Sequence, residues 1–190
     1  LWSSVTSQTL ASSVNAIAVD NVMPTANVYF AAGNALYQCP GGNTCSSKSS
    51  VSGSTPSILA LAVDSSNKIY VGGDFSAPSN CLCVFAGSSC NVLSGPGLPS
   101  VCSVTALAAK GTDIYVGGSF DSTTAGKNMA MYNGSSLTSS GSGLGPVKAI
   151  VAGSTIYAGG SSGLSMMKSG LVTKATSISV GSDSAGVELA

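Results

Sequence analysis

Apolar residues fall in short runs along this chain, and each run stops at Gly, Asn, Ser or Asp. The most apolar runs are "VNAIAVD" (14–20), "ILALAVD" (58–64), "VTALAAK" (104–110) and "VKAIVAG" (147–153). Each is followed by a run built on tyrosine: "NVYFAAGN" (27–34), "KIYVGGDF" (68–75), "DIYVGGSF" (113–120) and "TIYAGGSS" (155–162). A third set follows: "ALYQC" (35–39), "CLCVF" (81–85), "MAMYN" (129–133) and "LSMMK" (164–168). A fourth, weaker run lies beyond a Gly-containing turn and is clearest in "NGSSLTSSG" (133–141). Short runs bounded by turn residues read as strands. No stretch sustains an apolar period near 3.6, and Ser or Gly interrupts every candidate helix.

The runs recur at a fixed interval. Tyr29, Tyr70, Tyr115 and Tyr157 are 41, 45 and 42 positions apart, and Ala16, Ala60, Ala106 and Ala149 keep nearly the same steps. Four strands in every 40–45 residues predict an all-β fold: a β-propeller or propeller-like array of four blades, each of four short antiparallel strands. The units span 14–56, 57–102, 103–146 and 147–180 of a single domain, 1–190. The first strand of each unit is small and almost continuously apolar, as a strand buried on both faces would be. The double glycine after the tyrosine allows a close backbone approach. The four tyrosines are expected to pack between blades. A β-sandwich or solenoid made of the same hairpins is the alternative.

The two ends carry partial units. "LWSSV" (1–5) matches "LTSSG" (137–141), and "GVELA" (186–190) matches "PVKAI" (146–150). These orphan strands suit closure by the N-terminal strand, a piece of a longer array, or strand exchange with a neighbouring subunit. A head-to-tail contact that fails to close would give a filament.

"ALAVDSSNKIYVGGDF" (60–75) and "MYNGSSLTSSGSGLGPVKAI" (131–150) resemble the kelch-like propeller repeats of secreted and surface-anchored proteins, including the ectodomains of fungal cortical-marker membrane proteins. The resemblance extends over nearly the whole chain. It implies a propeller fold and a cell-surface setting, with no shared enzymatic site. The family's tryptophan after the "NGSS" turn is replaced by Cys45, Cys90 and Leu137 in the first, second and third units, and only Trp2 stands at a corresponding place.

Composition sharpens this picture. The chain has seven Lys, six Asp and one Glu, with no Arg and no His, and its net charge is zero. The lysines are scattered singly, so nothing steers the surface toward nucleic acid or anionic lipid. The longest apolar run, Ile58–Val63, is far short of a membrane span of about 20 residues. Ser and Thr number 50, enough to solvate a surface that lacks charge. Six cysteines suit an oxidising, extracellular compartment. The chain begins at Leu1 without a basic segment, so a secretion signal is expected to have been removed or to lie outside this segment.

Cys39 and Cys45 bracket "PGGNT", Cys83 and Cys90 bracket "VFAGSS", and Cys81 and Cys102 are left over. The first two pairs straddle a turn between strands three and four, which favours disulfides there, and the last would join unit two to the start of unit three. Six cysteines still permit about 15 connectivities. A metal site is not expected, since "CLC" and C-x5-C match no zinc spacing and no His is present.

Catalytic equipment is equally sparse. Without His, Ser–His and Cys–His arrangements are excluded within this chain. Asp20, Asp64 and Asp113 sit at strand ends, where Asp holds turns. Asp74 and Asp121 follow the double glycine and are candidate ligand residues on one rim. The sequence thus predicts no enzyme and no cofactor. It favours an extracellular structural or adhesion scaffold, disulfide-bonded and able to form part of a filament, with Asn133 as a candidate glycosylation sequon in a eukaryotic host and the Ser/Thr clusters 44–55 and 119–126 as either O-glycan carriers or flexible neutral loops. Expected partners are other copies of itself, other surface proteins or glycans. A carbohydrate- or peptide-binding propeller using the rim loops is the alternative.

Overall fold

The computed structural model describes residues 10, 12–41, 44–95, 97–141, 144–168 and 171–174. The orphan strands expected at 1–5 and 186–190, and Trp2, lie outside them. The described residues are all-β, with no helix and sixteen strands in four antiparallel four-stranded sheets. The first sheet contains β1 (Val14–Val19), β2 (Asn27–Ala32), β3 (Ala35–Pro40) and β4 (Ser46–Ser50). The second contains β5 (Ser57–Val63), β6 (Ile69–Asp74), β7 (Leu82–Phe85) and β8 (Cys90–Asn91). The third contains β9 (Cys102–Lys110), β10 (Asp113–Ser122), β11 (Gly126–Tyr132) and β12 (Leu137–Ser139). The fourth contains β13 (Val147–Ala152), β14 (Ile156–Gly160), β15 (Gly163–Lys168) and β16 (Leu171–Lys174). Each sheet is a simple meander in chain order.

The sheets stack in sequence, with first strands packed side by side: β1 on β5, β5 on β9, β9 on β13. Every sheet carries the same irregularity. The first strand bulges by one residue, at Asn15, Leu59, Thr105 and Lys148, opposite the pair of small residues that follows the tyrosine run in the second strand. The two glycines of each motif answer different needs. A Cβ on Gly72 would strike Val104 of the next sheet, and one on Gly117 would lie 2.6 Å from Val147 Cγ1. A Cβ on Gly73, Gly118 or Gly160 would instead strike the carbonyl before its own sheet's bulge, at Ser57, Ser103 or Pro146. The first glycine therefore lets sheets approach each other, and the second lets the bulged strand cross. Ala31 and Ala32 take these places in the first sheet.

Burial between sheets follows the repeat. Ile58, Val104 and Val147 are equivalent positions, all at most 2% exposed, and each begins a face packed on the preceding sheet. Tyr29, Tyr70 and Tyr115 are buried on the opposite faces. At the ends the pattern fails. The first strand is expected to be buried on both faces, yet Val14, Ile17 and Val19 are 51%, 67% and 52% exposed. Tyr157, expected to pack like its three equivalents, is 37% exposed. The physical reason is the same for both: no described sheet precedes the first or follows the fourth. The described residues form an open stack, and no closed ring of blades is seen among them.

Three disulfides are present. Cys39 bonds Cys45 and Cys83 bonds Cys90, each within one sheet's third hairpin, while Cys81 bonds Cys102 and ties the second sheet to the third. Such bonds suit an oxidising, extracellular environment.

Candidate functional site

One rim is built by the turns that leave the first strand of each sheet. In the first two sheets the turn opens with a buried aspartate. Asp20 accepts hydrogen bonds from the backbone N–H of Asn27 (2.8 Å), the Asn27 amide (2.7 Å), the Val22 N–H (3.3 Å) and the Tyr29 hydroxyl (3.3 Å). Asp64 accepts from the N–H groups of Ser66 (2.8 Å) and Lys68 (2.9 Å) and from the Tyr70 hydroxyl (3.4 Å). A carboxylate with several oriented donors holds its turn in shape, as turn-opening Asp commonly does. Asp113, at the start of β10, is half-buried near Tyr115.

Burial works against charging Asp20, but its donors outweigh that cost and hold the carboxyl below its ordinary range. The tyrosines shift the other way. Burial, then the Asp64 charge, pushes Tyr70 up to about 12. Burial and Asp20 raise Tyr29, and burial and Asp113 raise Tyr115. These hydroxyls stay protonated at neutral pH, and those of Tyr29 and Tyr70 donate to Asp20 and Asp64. The linkage has a definite sign. Ionised Tyr70 is disfavoured only in the folded chain, so its contribution to stability is complete below about pH 10 and is lost as pH rises to about 12. We expect a loss on the order of 2–3 kcal/mol over that window, read by alkaline unfolding, with a flatter profile in Tyr70→Phe.

Between these turns lies a groove of about 540 Å³ spanning three sheets. Gln38, Asn67, Lys68 and the hydroxyl-bearing edges of Tyr29, Tyr70 and Tyr132 line it. Its aromatic floor is fixed by edge-on contacts, Tyr70 to Tyr132 at 6.1 Å and Tyr29 to Phe85 at 6.3 Å. Most polar atoms there already have protein partners: Gln38 donates to the Tyr29 hydroxyl, and the Ser94 N–H donates to the Tyr132 hydroxyl. The sequence reading missed this groove. Its only linear trace is the Asp that closes the first apolar run and the Tyr of the run that follows, nine residues apart at Asp20 and Tyr29 and six apart at Asp64 and Tyr70, and Tyr132 arrives from the third strand of another sheet.

Asp74 and Asp121 lie at the opposite rim. Asp74 ends β6 and borders a hollow of about 340 Å³ with the Cys81–Cys102 bridge in its wall. Asp121 borders a neighbouring hollow of about 390 Å³, and both hollows share Ser100 and Val101. Asp121 pairs with Lys127 Nζ at 3.1 Å, both side chains being largely exposed. Such a pair adds little to stability. Asn133 sits in the exposed turn between β11 and β12, its side-chain oxygen accepting from the Ser135 and Ser136 N–H groups at 3.0 Å. No group of three or more His, Cys, Asp or Glu able to hold a metal is found among the described residues. Comparison with known proteins finds no matching family model and no matching curated protein.

Proposed function

We propose that the chain is a non-catalytic extracellular scaffold, a propeller-like module of surface structure or adhesion, similar to degenerate kelch-like repeats. The carrying observation is the sheet-to-sheet contact made three times at equivalent positions, with Gly72 and Gly117 at two junctions and Ala31 at the other, which commits Tyr29, Tyr70 and Tyr115 and these small residues to stacking. The best-buried carboxylates, Asp20 and Asp64, are engaged in holding turns, and of the three disulfides one ties two sheets of the stack together while two staple hairpins. On this reading Asn133 carries a glycan where the host adds one, since its turn is open to an enzyme. The test is location and redox state. A membrane-impermeant amine reagent should label the protein on intact cells or in the medium, and the denatured protein should show no free thiol. Recovery only from the cytosol with free thiols would refute the reading.

A second reading, a lectin-like module, draws on the adjoining hollows at Asp74 and Asp121. Selective retention of a glycan on an array, lost in Asp74→Ala or Asp121→Ala, would favour it over a purely structural role.

A further inference from the structure

The two ends of the stack are complementary halves of the interface that the chain makes internally. Within the chain, each backward face presents one branched aliphatic at the bulge and a second three residues on: Ile58 and Leu61, Val104 and Leu107, Val147 and Ile150. Gly72 meets Val104 and Leu107, and Gly117 meets Val147 and Ile150. Val14 and Ile17 of the first sheet are the same pair in the same register, with Val19 beside them, and all three are more than half exposed. At the far end Tyr157 and Val151 face outward, paired across β13 and β14 as Tyr70 and Ala62 are across β5 and β6.

A polar contact repeats with the same logic. Residues at the bulge reach forward to the next sheet's first strand. The Asn15 amide donates to the Ile58 carbonyl at 3.1 Å, and the Thr105 hydroxyl donates to the Val147 carbonyl at 2.5 Å. The fourth sheet places exposed Lys148 at this position, and the equivalent acceptor at the front of the stack is the Val14 carbonyl. With zero net charge, no overall repulsion keeps copies apart.

We propose that the occupant of these faces is a second copy of this chain, joined head to tail. The Tyr157–Val151 face of one copy packs on Val14, Ile17 and Val19 of the next, and Lys148 donates to its Val14 carbonyl. The interface is heterologous, so it closes into a ring when the accumulated rotation allows and otherwise extends. Propellers hold four to eight blades as a rule, so two copies of four sheets fall within the range of a closed ring. The inference rests on the scaffold reading and names its partner.

Ile17→Asp blocks the front face and Val151→Asp the back, and both side chains are exposed, so neither change disturbs the described core. Light scattering across a concentration series should give the wild type a mass of two or more chains. Each variant alone should have the mass of one chain, with the wild-type circular dichroism spectrum as the check on folding. An equimolar mixture should give a dimer that grows no further, because each copy retains one competent face. A wild type that stays at one chain's mass at all soluble concentrations would overturn the proposal, as would either variant alone associating like the wild type. A monomer would leave the surface-labelling and thiol results untouched, so the two readings fail separately.

Discussion

Replacing both Cys81 and Cys102 by alanine should lower stability by about 3 kcal/mol. The bond closes a segment of 21 residues, against 6 for Cys39–Cys45 and 7 for Cys83–Cys90. Loop-closure entropy grows with the length enclosed, so the shorter bonds should each contribute about 2 kcal/mol. Position widens the difference. Cys81 precedes β7 in the second sheet, and Cys102 is the first residue of β9 in the third. The bond therefore restrains how two sheets sit together, whereas the other two staple hairpins already held by strand pairing. Denaturant unfolding followed by far-ultraviolet circular dichroism should show the midpoint falling most for the Cys81/Cys102 pair. An equal or smaller loss than for Cys83/Cys90 would contradict this ordering.

Gly72→Val should cost about 3 kcal/mol, the upper end of ordinary overpacking. The added Cβ would collide with Val104 Cγ1 and lie 3.1 Å from Val104 Cβ and 3.2 Å from Leu107 Cδ1. Val104 is fully buried, so it has no space to swing into. The sheets must separate, or β6 must shift along its partners. Gly97→Val is the matched control. A Cβ there meets nothing within 4 Å, and the change should stay within about 0.5 kcal/mol. Thermal or denaturant unfolding of the two variants side by side checks both values.

Much of the architecture was legible because it is written four times. Tyrosine spacing alone located the second strands, and Asp20 and Asp64 marked the turns they hold. The different duties of paired glycines were not legible. Both Gly72 and Gly73 signal close approach, but only the packed sheets show that one meets a neighbour and the other meets its own bulge. The bulge itself leaves no mark in "ILALAV", where an extra residue is as apolar as those around it. Nor can sequence tell a buried face from an open one here. Val14 and Ile17 are the same kinds of residue as Ile58 and Leu61, and their exposure depends on whether another sheet lies behind them. The rim groove was hidden for a related reason: Gln38, Asn67 and Tyr132 belong to three sheets and meet only after stacking.

The central claim is that successive sheets bind face to face through this glycine-against-aliphatic contact. A double-mutant cycle between Gly72→Val and Val104→Ala measures it most directly. Val104→Ala alone opens a cavity and should cost roughly 2 kcal/mol. Combined, the new valine fills the space that the lost methyls leave, so the pair should cost less than the two single losses together by at least about 1 kcal/mol. Strictly additive losses would mean that the two positions do not touch, and the stacked arrangement would be wrong.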